Sequence, residues 1–306
     1  MIDFIKFQFK EDSKDQFESI INELKEESIT GFGVLNQSHD KTTYDIFQYP
    51  QWLKFHNLKI KVNKKFAFIE GSIHKFYNIS ISGQEHNYND FPFSKIQETI
   101  AFLEKYFVNI NEAKITKLEF GMNLRTEISP SLIIQNNVFL FNANAPTIQF
   151  NSSIRTSREY SFSNFDFKIY DKGKQYKKLV FNNSNILRIE LRFKYKELNK
   201  LGIYKLIHLK NKSTYRRLFM NLLRRYKDLQ IVDDLSLVSN KDDLHKLQNY
   251  LHQNFWRNHL GEEYHSQQKK REKLKIEELL KSYDLNTTKS TLRDQLRSKY
   301  IYLIFN

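Results

Sequence analysis

The chain has no cysteine, which excludes disulfides and thiolate zinc sites, so any bound metal must be held by His, carboxylates or amides. Proline and glycine are scarce, 4 and 8 in 306 residues, leaving few hinge-like linkers. No low-complexity tract or internal repeat marks a boundary. No run of about 18 apolar residues occurs, so no membrane span is expected. The N-terminal MIDFIKFQFKED alternates like a strand and lacks the apolar core of a signal peptide, which makes a cytoplasmic location the expectation.

What is present is apolar surface and positive charge. With 40% hydrophobic and 15% aromatic residues, the chain can bury a real core. There are 49 Lys and Arg against 35 Asp and Glu, a formal charge of +14. Such an excess suits a polyanionic partner, nucleic acid foremost, although a basic surface alone also fits a merely soluble protein.

The first two thirds read as α+β, a mostly antiparallel sheet with helices on one side. IDFIKFQF alternates as a strand, and Phe17, Ile20, Ile21 and Leu24 follow at helical spacing after a Ser13-x-x-Gln16 cap. NLKIKVNKKFAFIEGSIH predicts a hairpin through Asn63, Lys64 and Lys65, and Ser94 to Gln97 caps a helix carrying Ile96, Ile100, Leu103 and Phe107. Strand character returns in ITKLEFGMNL, PTIQFNSSI, YSFSNFDFKIYDK and NILRIELRFKY. After about residue 200 the period becomes helical. Tyr215, Leu218, Phe219, Leu222, Leu223 and Tyr226 form one stripe edged by Arg216, Arg217, Arg224 and Arg225. Ile276, Leu279, Leu280 and Tyr283 form a second, and Leu292, Leu296 and Tyr300 a third. The expected division is a sheet-and-helix domain over 1–200 and a helical region over 201–306, which suits packing or DNA contact.

Strand parity then sorts side chains between two faces. Leu118, Phe120, Met122 and Leu124 share one face of their strand, leaving Lys117, Glu119 and Asn123 opposite. Leu187, Ile189, Leu191 and Phe193 likewise leave Arg188, Glu190 and Arg192 on the other side. Phe165, Phe167 and Ile169 set Tyr170 apart with Asp166 and Lys168. His74 shares the parity of Glu70 and Ser72, with Phe66 and Phe68 blurring the pattern.

Four strands can thus offer His74, Glu119, Tyr170 and Glu190 on one non-core face. A histidine with two carboxylates suits Mg²⁺ or Mn²⁺. Such an ion polarises a phosphoryl oxygen while a tyrosine attacks phosphorus and lysines offset the developing charge. Taken singly, each residue has an ordinary alternative. Glu119 and Glu190 also suit the solvated face of a one-sided sheet, His74 a hydrogen-bonded structural histidine, and Tyr170 is one of 17 tyrosines.

Four blocks in order, GSIHKFYN with HNYNDF, KLEFGMNL, FKIYDKGKQ and NILRIELRFKYKELNKLGI, span about 57–205. In these blocks the chain resembles the rolling-circle replication initiators (Rep proteins) of small plasmids and phages. It looks most like the trans-acting plasmid Rep and filamentous-phage replication nickase types, in versions associated with Bacteroidetes elements. The resemblance implies an RRM-like antiparallel sheet with helices, distantly comparable to the HUH nucleases. It implies an enzyme of the bacterial host cytoplasm that nicks one origin strand, single-stranded at the nick, through a 5′-phosphotyrosyl bond and leaves a 3′-hydroxyl for polymerase. Tyr170 would match the nucleophile with Lys172 beside it, and Glu119 and Glu190, with His74 as third ligand, would hold Mg²⁺ or Mn²⁺. Lys75, Lys168, Lys174, Arg188 and Arg192 are the expected DNA contacts, and a host helicase and polymerase the expected partners. No His-hydrophobic-His motif occurs among the nine histidines, which sets the chain apart from the strict HUH group.

Other readings remain open on the residues alone. A mobilisation relaxase would use the same chemistry, a non-catalytic initiator would only bind and bend origin DNA, and an RNA-binding protein would use the aromatic sheet face for stacking. Tyr160 and Tyr176 are spare candidates for a second nucleophile.

Overall fold

The computed structural model describes residues 1–10, 15–26, 32–36, 49–135, 137–140, 156–176, 185–252, 255–256 and 265–306. Eleven strands are assigned among them: β1 Ile2–Phe9, β2 Phe32–Asn36, β3 Gln51–Phe55, β4 Leu58–Val62, β5 Ala67–Ser72, β6 Lys114–Arg125, β7 Asn137–Leu140, β8 Ser157–Ser161, β9 Phe165–Asp171, β10 Ile186–Lys194 and β11 Leu229–Val232. Nine of these join one sheet in the order β2-β3-β4-β5-β1-β6-β10-β9-β8, while β7 and β11 pair separately. The pairings β2–β3, β3–β4, β4–β5, β5–β1, β1–β6 and β8–β9 are all antiparallel. The α+β class expected from the sequence is the observed one.

The described residues cluster into two compact units, Met1–Gly121 with Arg192–Phe219 and Tyr302–Asn306, and Met122–Leu191 with Met220–Ile301. In the first unit, register explains the core. Leu53, Ile60, Ile69, Phe7 and Ile115 are successive cross-strand partners, and all five are fully buried. Burying each such side chain contributes about 1.5–3 kcal/mol relative to exposure. Helices Asp15–Glu26, Ile73–Ser82 and Phe93–Glu104 close over that face. Phe9 meets Phe17 edge-on at 4.9 Å between ring centroids, and Phe55 lies 5.2 Å from Phe76.

The second unit holds the β8–β9 hairpin, the β7–β11 pair and the helices Lys241–Leu251 and His265–Ser282. Phe139, Val232, Leu247, Trp256, Ile276 and Leu280 pack together in its core. Strand β11 corrects the purely helical reading of the chain after residue 200. LQIV is too short to show a period by itself, and its pairing with β7 comes from far upstream. The stripe Tyr215, Leu218, Phe219, Leu222 and Tyr226 is buried on the helix Lys212–Asp228 as its spacing predicts.

Three local readings shift. The helix expected from Ser94 starts at Phe93, with Pro92 in the cap position and no side-chain cap. Ser13 and the strand expected at residues 146–154 lie outside the described residues. The expected strand through His74 ends at Ser72, whose hydroxyl accepts the backbone N–H of Lys75 and turns the chain into a helix that places His74 in its first turn. No helix of the described residues is long and apolar enough to cross a membrane.

Candidate active site

Within the second unit, Tyr170 sits near the end of β9 with Lys168 two residues before it. On β8, Ser157 and Glu159 are their partners, while Arg158 and Tyr160 partner the apolar Ile169 and Phe167. The parity that set Tyr170 apart from the core is therefore the parity of the hairpin. The Tyr170 hydroxyl donates to Glu190 Oε2 at 3.5 Å, and Lys168 Nζ lies 3.7 Å from Glu190 Oε1 and 3.8 Å from Glu159. Arg188 Nε donates to Glu190 Oε2 at 2.6 Å, and its Nη1 donates to Asn123 Oδ1 at 2.9 Å.

Glu190 is only 2% exposed and Arg188 3%, so this face is not the solvated side of an open sheet. Burial of a carboxylate requires compensation by charge and hydrogen bonds, and Glu190 has both. Tyr170 itself is partly exposed.

The expected turn after Tyr170 is a short helix, Lys172–Gln175. Asp171 caps it by accepting the Lys174 N–H at 3.0 Å, and its other oxygen accepts the Ser131 hydroxyl at 2.6 Å. This geometry buries Lys172 to 1% exposure, with Nζ 5.5 Å from the Tyr170 ring centroid and 5.3 Å from that of Tyr176. Lys174 is partly exposed on the same helix. Tyr160 lies on the core side, where burial pushes its hydroxyl up to about 12 against the opposing pull of Arg158.

In the first unit, Glu119 is 8% exposed and accepts Arg192 Nε at 2.6 Å. Asp3, 5% exposed, accepts the Ser72 hydroxyl and, at 2.5 Å, the Asn87 side-chain amide. His74 has a different neighbourhood: its Nε2 pairs with Asn89 Oδ1 at 2.6 Å, and its ring stacks on Phe91 at 4.5 Å. Asn78 extends this network, donating to Asn89 Oδ1 at 3.0 Å and to the His86 carbonyl at 2.7 Å. Lys75 projects from the same helix to Glu85 at 3.0 Å.

Asp3 on β1 and Glu119 on β6 are two buried carboxylates of the first unit. Glu119 is one of the carboxylates singled out from the sequence, while His74 pairs with Asn89 and Phe91. Carboxylates are hard oxygen donors of the kind that hold a divalent cation such as Mg²⁺ or Mn²⁺. The hydrogen bonds that Ser72 and Asn87 make to Asp3 are of the kind that orient a metal ligand.

Parity alone hides Asp3, because counting back from Phe7 and Ile5 puts it on the core face. Ile5 partners Leu118 while Ile2 partners Phe120, so β1 spends three residues where β6 spends two. That extra residue is a bulge, and it breaks the alternation where Asp3 stands. The one available sign was an acidic residue at the parity of the apolar Ile5, Phe7 and Phe9.

No protein-family model matches the chain, and no curated protein matches it. Among solved structures it is similar to the rolling circle replication initiator protein from Geobacillus stearothermophilus, at 12% sequence identity and a TM-score of 0.44, over 79% of this chain and 89% of that one.

Proposed function

We propose that the protein is a rolling-circle replication initiator of the trans-acting plasmid Rep or filamentous-phage type, which nicks and rejoins one origin strand through Tyr170. The observation that carries this reading is the tyrosine hydroxyl 3.5 Å from a buried carboxylate, Glu190, with lysines on either side. A phenol attacks phosphorus well only as its proton leaves. Glu190 Oε2 is the acceptor within reach, and the Lys172 ammonium favours the phenolate that forms.

In the proposed step the Tyr170 oxygen bonds to phosphorus, the bond from phosphorus to the 3′ oxygen breaks, and the phenolic proton goes to Glu190. A proton from water completes the 3′-hydroxyl, which is left for a polymerase. Reversal of the step rejoins the strand. Asp3 and Glu119 would hold Mg²⁺ or Mn²⁺, which when bound supplies Lewis-acid polarisation of a phosphoryl oxygen. Lys168 and Lys174, both partly exposed, are the nearby cations for the DNA backbone, while Arg188 is buried against Glu190.

A second reading is an initiator that binds origin DNA without cutting it. It is favoured by the two arginines at 2.6 Å from Glu119 and Glu190, which neutralise these carboxylates without any added cation. The two readings separate in one experiment, incubation with Mn²⁺ and labelled single-stranded DNA tiled across the protein's own element, followed by a denaturing gel. A covalent protein–DNA band that disappears with EDTA and with Tyr170→Phe is expected. DNA shifted on a native gel with no metal-dependent cut or adduct would replace the nickase by the binding-only reading.

A further inference from the structure

Opposite the buried core row, the first unit carries a second cross-strand row. Trp52 on β3 partners Lys61 on β4, Lys61 partners Phe68 on β5, and in the next row Lys6 on β1 partners both Glu70 on β5 and Lys117 on β6. Directly partnered residues lie on the same face of a sheet, so these side chains share one surface. Apart from Glu70, which pairs with Lys6 at 2.7 Å, their chemistry is aromatic and basic. Lys61 Nζ sits 4.9 Å from the Trp52 ring centroid, Lys6 Nζ 4.8 Å from Phe68, and Lys117 Nζ 5.4 Å from Phe4. All six are partly exposed. On β6 the same parity continues from Lys117 to Glu119.

We infer that this face, on β3-β4-β5-β1-β6, is a track for single-stranded DNA. Trp52, Phe68 and Phe4 are the stacking platforms, and Lys61, Lys6 and Lys117 contact phosphates. The inference rests on the proposed nickase function for its choice of DNA, since the track leads along β6 to Glu119. The physical case is charge and shape. Neighbouring strands lie about 4.8 Å apart, so Trp52 and Phe68 present flat rings about 10 Å from each other, with a lysine between them. Base stacking on exposed aromatics is sequence-tolerant, and lysines beside the rings suit the phosphates of the same strand. A duplex hides its base faces and gains nothing from the rings.

The test uses the full-length Tyr170→Phe protein, which separates binding from cutting, and fluorescein-labelled dT oligonucleotides of increasing length in a salt series. Trp52→Ala and Phe68→Ala are each expected to weaken binding by about 5- to 100-fold. Lys6→Gln and Lys117→Gln, which remove charge from partly exposed positions and keep the fold, should each lower the slope of log affinity against log salt by about 0.7. Unchanged affinity and slope in all four variants would overturn the track. Equal or tighter binding of duplex DNA would overturn it too, and tighter binding of U-rich RNA would assign the face to RNA instead. If the four variants weaken binding while the Tyr170 protein forms no adduct, the track stands and the nickase falls. An adduct with unaltered binding in the variants gives the reverse.

Discussion

Replacing Glu190 by leucine and Arg188 by methionine, singly and together, measures what holds the acidic face in place. Their side chains are 2% and 4% exposed with a 2.6 Å contact, so solvent screening takes little from the pair. Removing one member strands the other in a low-dielectric site, which costs about 3–5 kcal/mol. Glu190→Leu belongs at the upper end, because Arg188 and Lys168 both lose their shared anion. Arg188→Met belongs at the lower end, because Lys168 at 3.7 Å and the Tyr170 hydroxyl at 3.5 Å still serve Glu190. The double variant leaves Lys168 with Glu159 and replaces the pair by apolar volume, an exchange that is often close to neutral. Single costs of about 5 and 3 kcal/mol with a near-neutral double correspond to a coupling energy of about 8 kcal/mol, beyond the 0.5–3 kcal/mol usual for contacting residues because each single variant strands a buried charge. Urea denaturation followed by circular dichroism reads it, with each single variant losing about 1 M in midpoint at a slope of about 3 kcal/mol/M. A double variant as unstable as the sum of the two singles would refute the argument. By contrast Lys6 and Glu70, each one-third exposed at 2.7 Å, should contribute at most about 1 kcal/mol.

Three further outcomes follow from single sites. Asp171→Ala removes the cap of the helix after Tyr170 and the acceptor of Ser131, so it should cost about 1–2 kcal/mol in urea denaturation and slow adduct formation; full stability would discard the capping role. Gly83 ends the helix Ile73–Ser82 at φ +69° with nothing within 4 Å of an added Cβ, so Gly83→Ala should cost about 1 kcal/mol from backbone alone, and a stability gain in thermal melts would contradict this. Burial lowers the Lys289 ammonium to about 8, outweighing the attraction of Glu277 and Asp228. Since the unfolded chain then binds the extra proton between pH 8 and the ordinary lysine value near 10.5, this group should make stability rise across that window and contribute no slope below it. Wild type minus Lys289→Met, compared by urea midpoint at pH 7.5 and 10, isolates the effect; an identical pH trend in both would remove it.

Several of these features were already written in the residues, and others were not. Period-two alternation in KLEFGMNL, FDFKIYD and LRIELRF determined by itself which side of each strand holds Glu119, Tyr170 and Glu190. That was legible because side-chain direction in a strand is a local property of the backbone. The same count failed at Asp3, where a bulge depends on the pairing with β6, and at His74, where the Ser72 cap ends the strand. Sequence composition also left open whether the polar face was wet or buried, and the burial of Glu119, Arg188 and Glu190 decided it. Nor could it align Trp52 with Lys61 and Phe68, because register is fixed by hydrogen bonds between strands distant in sequence. The alternating pattern of each strand is determined residue by residue along the chain, whereas neighbours, bulges and burial belong to long-range packing, which only the tertiary structure decides.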